Sequence, residues 1–188
     1  MIRDLCRVSG IVASVLQHYE SHLGALVDVA ALHRGVRVLK FKSPFDDQEL
    51  ALATDGVRDA DAPPGQRAIE FVMLCRPTDA ADVAPVLCQL AHYPREHGTT
   101  LHWFHVLPLG LGVVPGSSLT SLLLTMPWFG RSEFTTASDG DKRVDVVHVI
   151  PITEQEHELF RSSGTDALEQ ALEDADADLT DFRRPSVV

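Results

Sequence analysis

Apolar positions along the chain fall into short runs with two periodicities. Val12, Val15, Leu16 and Tyr19 recur at helical spacing, and Gly24 supplies a stop, so the N-terminal segment predicts a helix. Residues 25–30 form a short apolar run with strand character. Residues 36–41 (V-R-V-L-K-F) alternate imperfectly, and Ser43-Pro44 breaks them. Residues 49–54 predict a third strand, closed by the turn signal Asp55-Gly56. A polar, proline-rich stretch, 59–65 (D-A-D-A-P-P-G), reads as a loop too short to mark a domain boundary.

The second half continues in the same way. Residues 68–75 are a continuous apolar strand. Residues 79–93 predict a helix with Val83, Val86, Leu87 and Leu90 on one face. Pro85 fits its first turn if Asp82 is the cap, and Pro94 should end it. Strands are expected at 99–106 and 119–126, separated by a Gly- and Pro-bearing loop. Residues 133–137 and 143–150 flank Ser138-Asp139-Gly140-Asp141, a hairpin signal. Thr153-Glu154-Gln155-Glu156 is a capping box that opens a helix running to about Ser163, where Gly164 stops it. Thr165 opens another helix, with Leu168 and Leu172 one turn apart. Strands and helices are intermixed, with at least one antiparallel hairpin. The expectation is an α+β fold: one domain over residues 1–188, with a mixed or antiparallel sheet packed with helices.

Composition narrows the function classes. The 188 residues carry a formal charge of −11, which argues against nucleic acid and against an anionic membrane surface. The same charge would suit a cationic protein partner. No apolar run approaches the length of a membrane span, and the apolar patch at 11–16 lacks the flanks of a signal peptide. Cys6, Cys75 and Cys88 are odd in number and form no CxxC pair, so a reducing, cytoplasmic setting is expected.

Catalytic and cofactor motifs fail when tested. His157-Glu158-Leu159-Phe160-Arg161 begins like a zinc-protease helix, but Arg161 stands where the second ligand belongs. Gly110-Leu111-Gly112 begins like a dinucleotide loop, and Pro115 takes the place of the third glycine. His92, His97, His102 and His105 lie close in sequence, but Pro94 and Gly98 break the chain between them. They are read as surface or hydrogen-bonded histidines, with an enzyme built on that cluster as the least favoured alternative. His148 reads as a core histidine, and Cys75 and Cys88 as inert thiols. No catalytic residue, metal or cofactor is expected.

The order of several segments resembles the suppressor-of-fused-like domain family. Residues 86–100 (V-L-C-Q-L-A-H-Y-P-R-E-H-G-T-T) are similar to that family's helix followed by an aromatic or Y-P and then N/G-T. A histidine-containing segment follows at 101–107. Residues 121–125 resemble the strand before a proline-rich loop, here Met126-Pro127-Trp128-Phe129. Residues 144–156 (V-D-V-V-H-V-I-P-I-T-E-Q-E) resemble a hydrophobic strand running into P-I-T-x-x-E, and 164–172 with 179–185 fit the closing segment. Upstream the match is thinner: 50–57 resembles a strand ending in T-S-G, with Asp55 in place of the small residue, and 68–74 the strand after it. The resemblance spans about 50–187.

The resemblance implies a sandwich of sheet and helices and a non-enzymatic protein-binding role. Animal members restrain Gli-type transcription factors with this domain and a second one, for which this chain has no room. Short bacterial members are thought to neutralise polymorphic toxins, so an immunity-type inhibitor of a basic toxin domain is the leading expectation. A stand-alone regulator or scaffold is the alternative. Two partner-binding surfaces are candidates. One is the loop holding Trp128, Phe129 and Arg131, residue types enriched at interface cores. The other is the acidic run 166–181, represented by Asp174, Asp176 and Asp178. The competing expectation for the loop is that its two rings fold back as a lid over the sheet.

Overall fold

A computed structural model describes residues 12–59 and 67–188. Cys6 and most of the 59–65 loop lie outside these residues. One mixed sheet runs through the molecule. Its strands are β1 (Leu26–His33), β2 (Val36–Lys42), β3 (Leu50–Asp55), β4 (Ile69–Cys75), β5 (His105–Pro108), β6 (Leu119–Thr125), β7 (Thr136–Asp139) and β8 (Lys142–Thr153). The order is β1-β2-β3-β4-β8-β6-β5, with β7 also paired to β8. β4 and β8 run parallel, and the other pairs are antiparallel. The helices are α1 (Val12–Leu23), α2 (Ala80–His97), α3 (Glu154–Ser163) and α4 (Thr165–Asp174).

Period-two alternation in the strands sorts the core into two faces. Val36, Val38, Leu52, Phe71, Leu122, Leu124, Val147 and Val149 pack with Val83, Leu87 and Leu90 of α2. On the opposite face, Leu39, Phe41, Ala53, Val72, Val144 and Val146 meet Val15, Tyr19 and Leu23 of α1. Further along that face, Leu123, Ile150 and Ile152 meet Leu168 and Leu172 of α4. The result is a helix–sheet–helix sandwich. His148 lies between Val146 and Ile150 on the second face, at the gap between the α1 cluster and the α4 cluster. It is buried, its Nδ1 has no hydrogen-bond partner among the described residues, and burial pushes its pKa down to about 3.

Several boundaries differ from the sequence expectation, each for a physical reason. β1 is longer than 25–30 and mostly exposed. It is the sheet's edge, joined to β2 by Arg34 and Gly35, both at positive φ (47° and 87°) as a tight hairpin requires. α2 is not stopped by Pro94. Pro94 is buried on the helix face, and the helix ends instead at Gly98, φ 61°, whose N–H donates to the Pro94 carbonyl. Its N-cap position is Asp79, not Asp82. The Asp79 carboxylate makes no cap bond and accepts from Arg183 at 2.9 Å. The expected strand 99–106 shrinks to β5, because Phe104 turns the chain at φ 66°. Residues 133–137 divide into a 3-10 turn, Ser132–Thr135, and β7. The hairpin connection is Gly140-Asp141, with Gly140 at φ 60°.

Two buried ion networks tie distant segments together. Arg58, in a 3-10 turn after β3, donates from Nη1 to Asp55 (2.8 Å) and Glu70 (2.6 Å) and from Nε to Asp139 (2.8 Å). Glu70 also accepts from the Thr54 hydroxyl (2.7 Å) and the Gly56 amide (2.9 Å), and Arg37 pairs with Asp55. Burial raises the Glu70 carboxyl above its ordinary value, against the pull of Arg58. The second network extends the expected capping box. Thr153 Oγ1 accepts from the Glu156 amide (3.2 Å), and the Glu156 carboxylate accepts from the Thr153 amide (2.9 Å). The same carboxylate accepts from Arg184 at 2.6 and 2.9 Å and from the Val187 amide at 3.0 Å, which fixes the C-terminal tail to the start of α3. Burial opposes the charge on Glu156, but Arg184 and these amides hold its carboxyl below the ordinary range.

Two outcomes follow. Thr153→Ala should lower stability by about 1 kcal/mol through loss of the cap, read from urea midpoints; an unchanged midpoint would mean the cap contributes nothing. His148 stays neutral in the fold while the unfolded chain takes up a proton below about pH 6.5. Its contribution is therefore complete above that pH and falls by about 1.4 kcal/mol per pH unit as the pH drops from about 6.5 toward the folded value of about 3. His148→Phe should remove that slope, and equal slopes for the two proteins would place the proton uptake elsewhere.

Candidate functional site

β6 ends at Thr125, directly across from His148 on β8. The chain then turns back over the second face of the sheet. Phe129 stands edge-on to His148, ring centroids 4.8 Å apart, and packs against Phe45 (5.3 Å) and Phe134 (5.5 Å). Gly130 follows at φ 78°, a left-handed conformation in which any other side chain would be strained. Phe129 thus closes the gap over His148. Trp128 also stands edge-on to His148, at 6.4 Å, but remains 41% exposed. The lid expectation holds for Phe129, whereas Trp128 is left at the surface.

Trp128 faces a cavity of about 440 Å³ whose opposite wall is α4 and the turn after it. Leu172, Ala177 and Leu179 give it apolar lining, and Glu169, Glu173 and Asp176 give it carboxylates. Thr125 Oγ1 donates to Glu169 at 2.9 Å, so the strand that launches the Trp128 loop also holds α4. α4 ends in a reversal in which the Ala177 amide bonds the Leu172 carbonyl (3.0 Å) and the Asp176 amide the Glu173 carbonyl (2.9 Å). This pattern requires a left-handed residue, and Asp176 takes it at φ 47°.

The two surfaces expected from sequence therefore meet at one groove, but only some of their residues reach it. Trp128 and Asp176 line it. Phe129 sits beneath, on His148. Arg131 is exposed at the start of the 3-10 turn and is not part of the lining. Asp174 accepts from Gln170 at 2.8 Å on another side of α4. Asp178 accepts from Arg76 at 2.7 Å and from Thr180 at 2.7 Å, and lines a second cavity with Asp46 and Glu49. Glu169, Leu172 and Glu173 were not singled out by charge counting. Their spacing was the available signal, since 169, 172, 173 and 176 follow i, i+3, i+4, i+7 and share one helical face.

The remaining chemistry-bearing side chains are dispersed. His92 Nε2 lies 3.3 Å from the His33 carbonyl, His97 lies against Tyr93 with ring centroids 4.1 Å apart, and His102 Nε2 lies 2.9 Å from an Asp145 carboxylate oxygen. Asp145 is also bonded by Arg143 at 3.1 Å and paired with Arg67 at 3.4 Å. Burial, with Asp79 and Glu49 nearby, pushes the Cys75 thiol up to about 12, and burial raises Cys88. Among the described residues no three His, Cys, Asp or Glu side chains are placed to hold a metal ion, and no helix is long and apolar enough to cross a membrane.

Comparison with known proteins agrees with this architecture. No curated protein sequence matches the chain. Among solved structures, a SUFU (suppressor of fused protein) homolog from Neisseria gonorrhoeae FA 1090 superposes with a TM-score of 0.76 at 18% identity, covering 95% of this chain and 97% of that one. The Sufu-Fu complex matches with a TM-score of 0.65 at 14% identity, covering 94% of this chain and 90% of that one. Drosophila Suppressor of Fused matches with a TM-score of 0.67 at 12% identity, and there the match covers 94% of this chain but 51% of the longer protein. These likenesses are of fold. The sequence model of the Suppressor of fused protein (SUFU) family matches residues 34–185, most of the chain, and the protein therefore belongs to that family.

Proposed function

We propose that the chain is a protein-binding module, of the immunity type, that neutralises a basic toxin domain by docking on it in the cytoplasm. The observation that carries this reading is Trp128, a large aromatic ring left 41% exposed beside an apolar cavity rimmed by carboxylates. Exposed tryptophans next to a pocket are the residue type that dominates protein interfaces. The structure of a Sufu-Fu complex supports binding as the mode of action in the family. The net charge of −11 supports a cationic partner and fast, salt-sensitive association. Cys75 and Cys88, both buried free thiols, accord with a reducing compartment.

The test is to look for a gene for a basic toxin-like domain beside the one for this chain and to co-express the two, scored by growth rescue and by affinity between the purified proteins; a neighbourhood with no such gene would count against the immunity reading. Trp128→Ala should weaken binding by about 2 kcal/mol or more, with the urea midpoint little changed because the ring is half exposed. A Trp128→Ala protein that binds normally but unfolds easily would assign the ring to the core. A neighbour that binds without rescuing growth would favour a stand-alone regulator.

A further inference from the structure

We propose that the groove between Trp128 and α4 takes a partner segment in which an apolar side chain is flanked by lysine or arginine, and that Asp176 is the residue that sets this preference. The proposal rests on the protein-binding reading above and adds the chemistry of the bound segment.

The cavity, about 440 Å³, is large enough to take a side chain, and Trp128, Leu172 and Leu179 make part of its wall apolar. An apolar anchor is the group such a wall retains. The rest of the wall is anionic without internal compensation. Glu173 and Asp176 form no ion pair among the described residues, and from Thr165 to Phe182 the chain has no Lys, Arg or His. A second copy of this chain, at −11, would bring more negative charge to the groove and is disfavoured as occupant.

Local stability would choose otherwise at three places on this wall. Glu169 and Glu173 are like charges one turn apart, which weakens a helix. Glu173 and Asp174 stand in the last turn of α4, where the helix dipole favours cations. Asp176 occupies the left-handed position after the helix, where glycine is the residue of least strain. Three departures from helix-stabilising chemistry converge on α4, and three of the four residues concerned line the cavity. A cation held at that rim is the occupant that would make use of them.

The test uses the full chain carrying Trp103→Phe, so that Trp128 is its sole tryptophan fluorophore. The probes are two acetylated peptides, a leucine pair set among lysines and the same pair set among glutamates. The lysine peptide should shift Trp128 emission saturably, and the glutamate peptide should not. Asp176→Asn keeps the turn and removes the charge. It should weaken the lysine peptide roughly fivefold, the size of one exposed ion pair. Asp176→Gly should raise the urea midpoint while weakening the same peptide. Equal affinity for the two peptides, no saturable shift with either, or an undiminished lysine affinity in Asp176→Asn would overturn the proposal. If Trp128→Ala still loses a toxin domain that the unaltered protein binds, the protein-binding reading stands and only the charge preference fails. If the toxin domain is indifferent to Trp128 as well, both fail.

Discussion

β8 is hydrogen-bonded on both edges and buried on both sides for ten of its twelve residues, so two covering layers are obligatory. On one side, Val147 and Val149 are buried in the cluster that α2 shares with Leu101, Val113, Val114 and Phe182. The other layer is made in pieces, since α1 covers the early half of β8 and α4 the late half. Neither helix covers the middle, where His148 stands. The loop after β6 must therefore fold back to exclude water from the imidazole, and Phe129 does so. That requirement carries Trp128 to the surface one residue earlier. The groove is a consequence of how the central strand is covered.

Features set by near neighbours in the chain were legible in the sequence. The Thr153 box, the α4 spacing of Leu168 and Leu172, and the Gly140 turn depend on residues within a few positions, and all formed. Expectations that depended on distant packing went astray. Pro94 was expected to break α2, but burying it against the sheet outweighs the hydrogen bond it cannot donate. Residues 99–104 have strand-like composition yet form no strand, and the chain turns at 103–104. At the site, Trp128 and Asp176 were both singled out, but their meeting across Thr125 and Glu169 is a tertiary fact that no local pattern encodes. Counting acidic residues also could not separate Asp176 from Asp178, whose carboxylate is already engaged by Arg76.

The buried charges belong to the same class of feature. Asp55, Glu70 and Asp139 are far apart in sequence and converge on Arg58, while Glu156 gathers Thr153, Arg184 and Val187. Such pairs add little net stability over a well-packed apolar alternative. Each is strongly directional, however. Arg58 joins the ends of β3, β4 and β7, and a shift in register would leave carboxylates buried without a cation. Arg184 fastens the tail to the start of α3. The chain thus fixes its strand alignment and its C-terminal course with charge, and leaves apolar burial to supply the bulk of the driving force.

The same economy governs the groove. Thr125 is paired with His148 through the backbone and with Glu169 through its hydroxyl. One wall of the groove leaves from that strand end, and the other is bonded to it. One end of the Trp128 loop is therefore fixed to β6, a strand hydrogen-bonded on both sides. The His148–Phe129 contact fixes the loop from below, and the reversal at Asp176 fixes the end of α4. On the proposed binding reading, a groove held at both walls would lose little conformational freedom on being filled, so contacts made inside it would be retained as affinity.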